Sequence, residues 1–195
     1  MRAVVQRVAS ARVTVDSVET GAIGHGLLAY LGIGEGDGEP EVEWLTRKLL
    51  ALRIFEDDAG KMNRSVVDVG GAILVVSQFT LYADVARGNR PSFGRAAPPD
   101  IAESLYERVV GRLRERVPVA TGRFRADMRV ESVGYGPITI PFDTALDAPA
   151  LRGVARPSRS HIDDAAARFV AALTSPDALR SAETTSTALD NEDDG

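Results

Sequence analysis

The chain has no cysteine among its 195 residues, which excludes disulfides, thiolate catalysis and Cys-ligated metals. Histidine is nearly absent as well. His25 falls in a predicted turn and His161 in the C-terminal region, neither beside a Ser-rich elbow nor a second histidine. A Ser-His-Asp triad and a His-based zinc site are therefore not expected. No apolar run approaches ~18 residues, so no transmembrane helix is expected. The start, Met1-Arg2-Ala3-Val4-Val5-Gln6-Arg7, lacks the apolar core and cleavage site of a signal peptide, and cytoplasmic placement is the default. Bulk positive charge is missing too. Residues 144–195 hold nine acids and five bases, and residues 1–143 hold 19 acids and 18 bases. Neither part can grip DNA or RNA by bulk charge, so any nucleic-acid contact must be local.

Familiar site motifs are also wanting. Gly32-Ile33-Gly34-Glu35-Gly36 lacks the spacing of a dinucleotide loop. Gly34-Glu35-Gly36-Asp37-Gly38 lacks the spaced ligands of a calcium loop and reads as a plain turn. No paired carboxylates stand out. Asp127 is the best single acid, with a structural ion pair as its expected role. Neither metal nor cofactor is expected. An enzyme built from these residues works with hydroxyls, backbone amides and its own substrate.

What is present begins with Leu74-Val75-Val76-Ser77-Gln78-Phe79-Thr80-Leu81. Its apolar run, preceded by Gly70-Gly71, predicts a central strand over 72–79, buried on both faces. Two hydroxyls and an amide (Ser77, Gln78, Thr80) close it, and polar groups at the end of a core strand are costly unless paired. That makes the strand end a candidate binding site. Around it, residues 2–8 and 12–16 predict a hairpin pair, Gly21–Gly26 a turn and 27–33 a second buried strand. Val42, Leu45, Leu49 and Leu52 share one face of a helix over 40–53, with Trp44 as a packing residue. A short strand at Ile54-Phe55, a turn at 57–60 and its return over 61–65 follow.

Residues 84–95 form a loop in which Arg87, Arg90 and Arg95 surround Phe93. Such a loop either holds phosphates and stacks a base or is a solvated loop with one anchoring aromatic. Asp100 and Glu103 predict a capping box for a helix carrying Ile101, Leu105, Val109 and Leu113 on its buried stripe. Its arginines, Arg108, Arg112, Arg114 and Arg116, read as a solvated face. Strands are predicted over 117–124, 128–133 and 138–142, with Gly134-Tyr135-Gly136-Pro137 between the last two. The fold class is a sheet-rich, layered α/β domain of mixed and antiparallel sheets with two main helices, over 1–144. Residues 145–195 read as a linker, a short amphipathic helix over 160–173 and a disordered acidic tail.

Gln6-Arg7-Val8, Ser77-Gln78-Phe79-Thr80-Leu81, Arg87-Gly88-Asn89-Arg90-Pro91-Ser92-Phe93, Thr121-Gly122-Arg123-Phe124, Ala126-Asp127-Met128 and Gly136-Pro137-Ile138-Thr139, in this order, resemble the D-aminoacyl-tRNA deacylases. The resemblance runs collinearly over residues 1–143. It implies a cytoplasmic, membrane-free homodimer that hydrolyses the ester between a D-amino acid and the 3′-terminal adenosine of tRNA. It also implies removal of glycine mischarged on tRNA for alanine. Gly136-Pro137 is then a cis pair that one subunit inserts into the other's active site to exclude L-side chains, and Arg7 helps fix that partner loop.

By the same resemblance, the catalytic candidates are Thr80 and Gln78. Ser77, Phe79, Phe93, Arg90 and Met128 meet the substrate. Met128 reads equally as a core methionine, and Arg7 as a strand-edge arginine. Two nucleophile schemes stay open: attack by the Thr80 hydroxyl, or water directed by the substrate's ribose hydroxyl. A non-catalytic binder of the tRNA acceptor end and an esterase for small D-aminoacyl esters are the alternative functions. Two departures stand out: Gly134-Tyr135 replaces the family's usual Asn-Asp, and Arg125 stands where Gly or Ala is preferred.

Overall fold

Val, Ile and Leu runs that alternate between two buried faces set the frame. The computed structural model describes residues 1–86 and 88–152. In chain order these form β1 (Arg2–Val15), β2 (Val18–Ile23), β3 (Gly26–Gly32), α1 (Glu39–Ala51), β4 (Phe55–Glu56), β5 (Met62–Arg64) and β6 (Ala72–Ser77). A 3₁₀ turn over Phe79–Tyr82, α2 (Pro99–Arg114), β7 (Val119–Thr121) and β8 (Arg129–Asp143) follow. The described chain ends with α3 (Thr144–Asp147) and a 3₁₀ turn over Pro149–Arg152. The expected helix over 160–173 and the tail over 175–195 lie outside the described residues.

The main sheet runs β2-β1-β3-β6-β7, with β8 also paired to β1. β3, β6 and β7 are parallel neighbours, whereas β1 is antiparallel to β2, β3 and β8. The sheet curls until β2 meets β7: a Cβ on Gly21 would lie 2.5 Å from the Thr121 carbonyl oxygen, so only glycine permits this barrel-like closure. Leu27, Ala29, Leu31, Ile73 and Val75 face α1 and α2. Leu28, Leu74 and Val76 turn the other way, onto Val8, Ala11 and Val13. β3 and β6 are thus buried on both faces, as their unbroken apolar runs require.

Several expected boundaries move. The expected hairpin pair of 2–8 and 12–16 is instead one strand, β1, which runs to Val15, because Ser10 and Ala11 stay paired to β8 through Val133 and Ser132. The hairpin turn is Asp16-Ser17, at φ of 50° and 64°, the left-handed pair that suits a tight β-turn. β2 takes Gly21–Ile23 of the expected Gly21–Gly26 turn and β3 takes Gly26, so the turn shrinks to Gly24-His25. Residues 128–133 and 138–142 fuse into β8, and only Val119–Thr121 of the 117–124 segment is a strand. β6 stops at Ser77, not residue 79, as the chain tightens into the 3₁₀ turn.

The helices correct two details. α2 begins at Pro99, which suits a first helical position that has no amide to satisfy, and no side chain caps it, so the Asp100–Glu103 box is absent. Ile101 is 53% exposed and leaves the predicted stripe, which Leu105, Tyr106, Val109, Val110 and Leu113 form instead. Arg108 and Arg112 are not merely solvated: both pair with Glu39 at the start of α1. The box lies in α1, where Glu41 Oε2 accepts from the Gly38 amide at 2.9 Å. Trp44 packs as expected, edge-on to Phe142 with centroids 6.1 Å apart.

Candidate active site

Where β6 ends, its last polar residues meet the segment that leads into β8. Gln78 N–H still bonds the Leu31 carbonyl at 2.8 Å, so the chain is held to β3 up to that residue. It then turns, and among the described residues the amides of Phe79 and Thr80 make no hydrogen bond. The first amides of any helical turn lack partners within it. Here they are the donors left over beside an open cleft.

That cleft has a volume of about 300 Å³. Leu31, Ile33, Val76 and Ala102 give it an apolar lining. Ser77, Gln78 and Phe79 line it together with the segment Phe124 through Met128. Phe79 is 58% exposed, and Phe93 meets it edge-on with centroids 4.9 Å apart. The loop carrying Phe93 is closed at its base by paired Asp84 and Ser92 backbones, at 2.8 and 2.9 Å. Arg90, on the same loop, is exposed and does not line the cleft.

Thr80 borders this group through Gln78. The Gln78 side-chain amide donates to the Thr80 hydroxyl oxygen, and among the described residues no carboxylate or imidazole hydrogen-bonds that hydroxyl. An amide donor cannot take a proton from it, so Thr80 has no general base within reach. Tyr106 also lines the cleft, but its hydroxyl donates to the Val75 carbonyl at 2.9 Å and burial pushes its pKa up to about 12. It stays a neutral donor at physiological pH.

Met128 serves both readings, lining the cleft and packing on the second core. Gly122 makes room for it, because a Cβ there would overlap the Met128 sulfur. Phe124, Tyr106 and Arg125 were not nominated from sequence, although Phe124 stood inside a quoted motif and its ring packs on Tyr106 at 5.7 Å. Asp127 lines the cleft and forms no ion pair among the described residues, contrary to its expected structural role. Arg125 is held at φ 61°, in a turn closed by Ala126 N–H on the Arg123 carbonyl at 3.3 Å. A side chain in that region costs roughly 1 kcal/mol relative to glycine.

The second nominated feature sits elsewhere. Gly136-Pro137 is cis and lies on a bulge of β8: between the pairs Gln6–Thr139 and Val8–Gly134, two steps along β1 match five along β8. Within this chain the pair does not line the cleft. Val130 does, and Gly134 stands four strand residues further on, about 13 Å at a rise of ~3.3 Å per residue.

Arg7 anchors the bulge. It is not a strand-edge arginine but is 3% exposed, with Nε donating to the Tyr135 carbonyl at 3.0 Å and Nη1 to the Ile54 carbonyl at 2.7 Å. Its guanidinium also lies 4.5 Å from the centre of the Tyr135 ring. The loop Arg7 holds here is its own, whereas the resemblance assigned it to the partner's. The Tyr135 ring that replaces the usual acid thereby gains a cation to rest on.

Fold and site together define a curled-sheet protein with a cleft at a strand end, lined by hydroxyls, a carboxamide and unpaired amides. Comparison with known proteins assigns the class. Residues 4–143 match the family model described as D-Tyr-tRNA(Tyr) deacylase. The D-aminoacyl-tRNA deacylase of Anaeromyxobacter dehalogenans is 59% identical over 145 residues, covering 74% of this chain and 97% of that protein. That of Thermotoga petrophila is 56% identical over 146 residues, covering 74% and 98%. Among solved structures, one named c-Myc DNA Unwinding Element Binding Protein aligns with a TM-score of 0.70 at 43% identity, over 73% of this chain and 98% of that one. A probable eukaryotic D-amino acid tRNA deacylase aligns at 0.62 and 19% identity, over 73% and 98%, and shares the fold. The protein is an ester hydrolase. It belongs to the D-aminoacyl-tRNA deacylase family.

Proposed function

We propose that the protein acts as a homodimer on the aminoacylated 3′ end of tRNA, releasing D-amino acids and also glycine mischarged on tRNA for alanine. The observation that carries the two-chain reading is the Gly136-Pro137 bulge. It is exposed, anchored at its base by Arg7, and absent from the cleft of its own chain. A second chain supplies the way to bring the two halves together. β8 offers the docking edge: it runs for 15 residues with Val133 59% and Tyr135 47% exposed, and natural proteins seldom leave so long an edge uncovered.

A filter made of backbone rejects side chains of one hand by exclusion. It needs no complementarity to those it admits, so varied D-side chains pass, and glycine passes because it has nothing to exclude. In the chemical step, the free amides of Phe79 and Thr80 stabilise the oxyanion of the tetrahedral intermediate, each donor contributing roughly 10²–10³ in rate. Thr80 has no base, so the adenosine's free ribose hydroxyl positions the attacking water. Phe93 and Phe79 give the terminal base an aromatic face.

Pure protein incubated with D-Tyr-tRNA, L-Tyr-tRNA and a free D-tyrosyl ester tests the substrate class. Release of D-tyrosine from tRNA alone is expected. Binding without release would favour a mere acceptor-end binder, and cleavage of the free ester alone a small-ester hydrolase. Thr80→Val should lower kcat less than tenfold; near-complete loss would restore threonine as nucleophile.

A further inference from the structure

We propose that Arg125 binds a backbone phosphate of the tRNA 3′ end at the mouth of the cleft, an inference that rests on the tRNA-deacylase reading above. Arg125 lines the same cleft as Ser77 and Gln78, is exposed, and among the described residues forms no ion pair or hydrogen bond through its guanidinium. It occupies the third position of the Arg123–Ala126 turn at φ 61°, where glycine is favoured. Packing does not call for an arginine there, since the side chain is not covered. A long cation placed at a conformationally disfavoured position, on the lining of a substrate cleft, points to a ligand.

The chemistry of the substrate narrows that ligand. An aminoacylated 3′ end carries a neutral ester, a cationic α-ammonium and anionic phosphodiesters. A guanidinium repels the ammonium and gains little from the ester. Phosphate is the anion available to it, and the planar guanidinium matches phosphate oxygens in pairs. Asp127, the other charged residue lining the cleft, repels phosphate. Arg125 is the cation among the residues lining the cleft, so the phosphate meets its guanidinium at the exposed rim.

The test uses the full-length protein, Arg125→Gly and Arg125→Lys, on two substrates: D-tyrosyl-tRNA and phosphate-free D-tyrosyl-adenosine. Glycine suits the left-handed backbone, so the Gly variant should fold with an unchanged or slightly raised Tm. On D-tyrosyl-tRNA its KM should rise roughly tenfold with kcat within twofold, and Lys should recover much of the loss. The slope of log affinity against log salt should become shallower by about 0.7 to 0.9, one phosphate contact. On D-tyrosyl-adenosine the three proteins should be indistinguishable. Unchanged KM and salt slope on the tRNA, or an equal loss on both substrates, would overturn the assignment. If wild-type protein fails to hydrolyse D-tyrosyl-tRNA at all, the tRNA-deacylase reading falls and this proposal with it.

Discussion

Gly122 and Met128 show how much a single atom can decide at this site. A methyl group on Gly122 would collide with the Met128 sulfur, and Met128 has a flexible side chain that yields by moving. The direction in which it yields includes the cleft it lines. Gly122→Ala should thus raise KM for D-aminoacyl-tRNA several-fold while Tm falls by only a few degrees; unchanged KM beside a large drop in Tm would show Gly122 to be purely structural. Arg7 teaches a different lesson. From sequence it read as an edge residue by position, but its carbonyl partners at Ile54 and Tyr135 make it a buried anchor within this chain. Ser77 and Gln78 were legible because a polar cluster closing an apolar strand is costly without a purpose, whereas Phe79 and Met128 came with the family resemblance. Arg125 and Tyr106 were not legible, since a cleft formed across three elements leaves no spacing in the chain.

At the scale of elements, β3 and β6 were read correctly because strands buried on both faces are apolar at every position. The long strands were harder. Ala9-Ser10-Ala11 interrupts the apolar alternation of β1, and Gly134–Pro137 interrupts that of β8, yet each strand continues because the other pairs with it. Pairing between distant segments is invisible to local pattern. α2 binds to the sheet through Tyr106, whose hydroxyl reaches the Val75 carbonyl of β6. Burial raises this tyrosine's pKa to about 12, so the folded state holds the proton more tightly than the unfolded chain does. Its contribution is complete below about pH 10 and is lost as pH rises from 10 towards 12, amounting to roughly 2–3 kcal/mol. Urea unfolding at pH 8 and pH 11 should reveal that loss, and Tyr106→Phe should be less stable at pH 8 by about 1 kcal/mol but less sensitive to alkali. Equal alkaline sensitivity of the two proteins would assign the effect elsewhere.

For the molecule as a whole, the family match spans residues 4–143. The chain then packs Thr144 and Ala148 against the core before residue 152. A chain ended after Arg152 should keep activity within a few-fold of the full protein in a deacylation assay, and a collapse would show that later residues serve the site. Among the described residues no helix is long and apolar enough to cross a membrane. Composition could not show that the cleft and the Gly136-Pro137 bulge lie apart within one chain, since that is a property of the curled sheet.

That separation makes subunit mixing the most direct measurement. A variant with Gly136-Pro137 replaced by Ala-Ala keeps its cleft, and a Ser77→Trp variant keeps its loop while its cleft is filled. L-Tyr-tRNA hydrolysis by the loop variant is measured alone and with excess cleft-filled subunits, after exchange. The expected result is that the loop variant attacks L-Tyr-tRNA, and that the partner's intact loop suppresses this attack while D-Tyr-tRNA hydrolysis persists. L-Tyr-tRNA hydrolysis unaffected by mixing, or continued rejection of L-Tyr-tRNA by an intact dimer of the loop variant, would contradict a filter supplied across the interface.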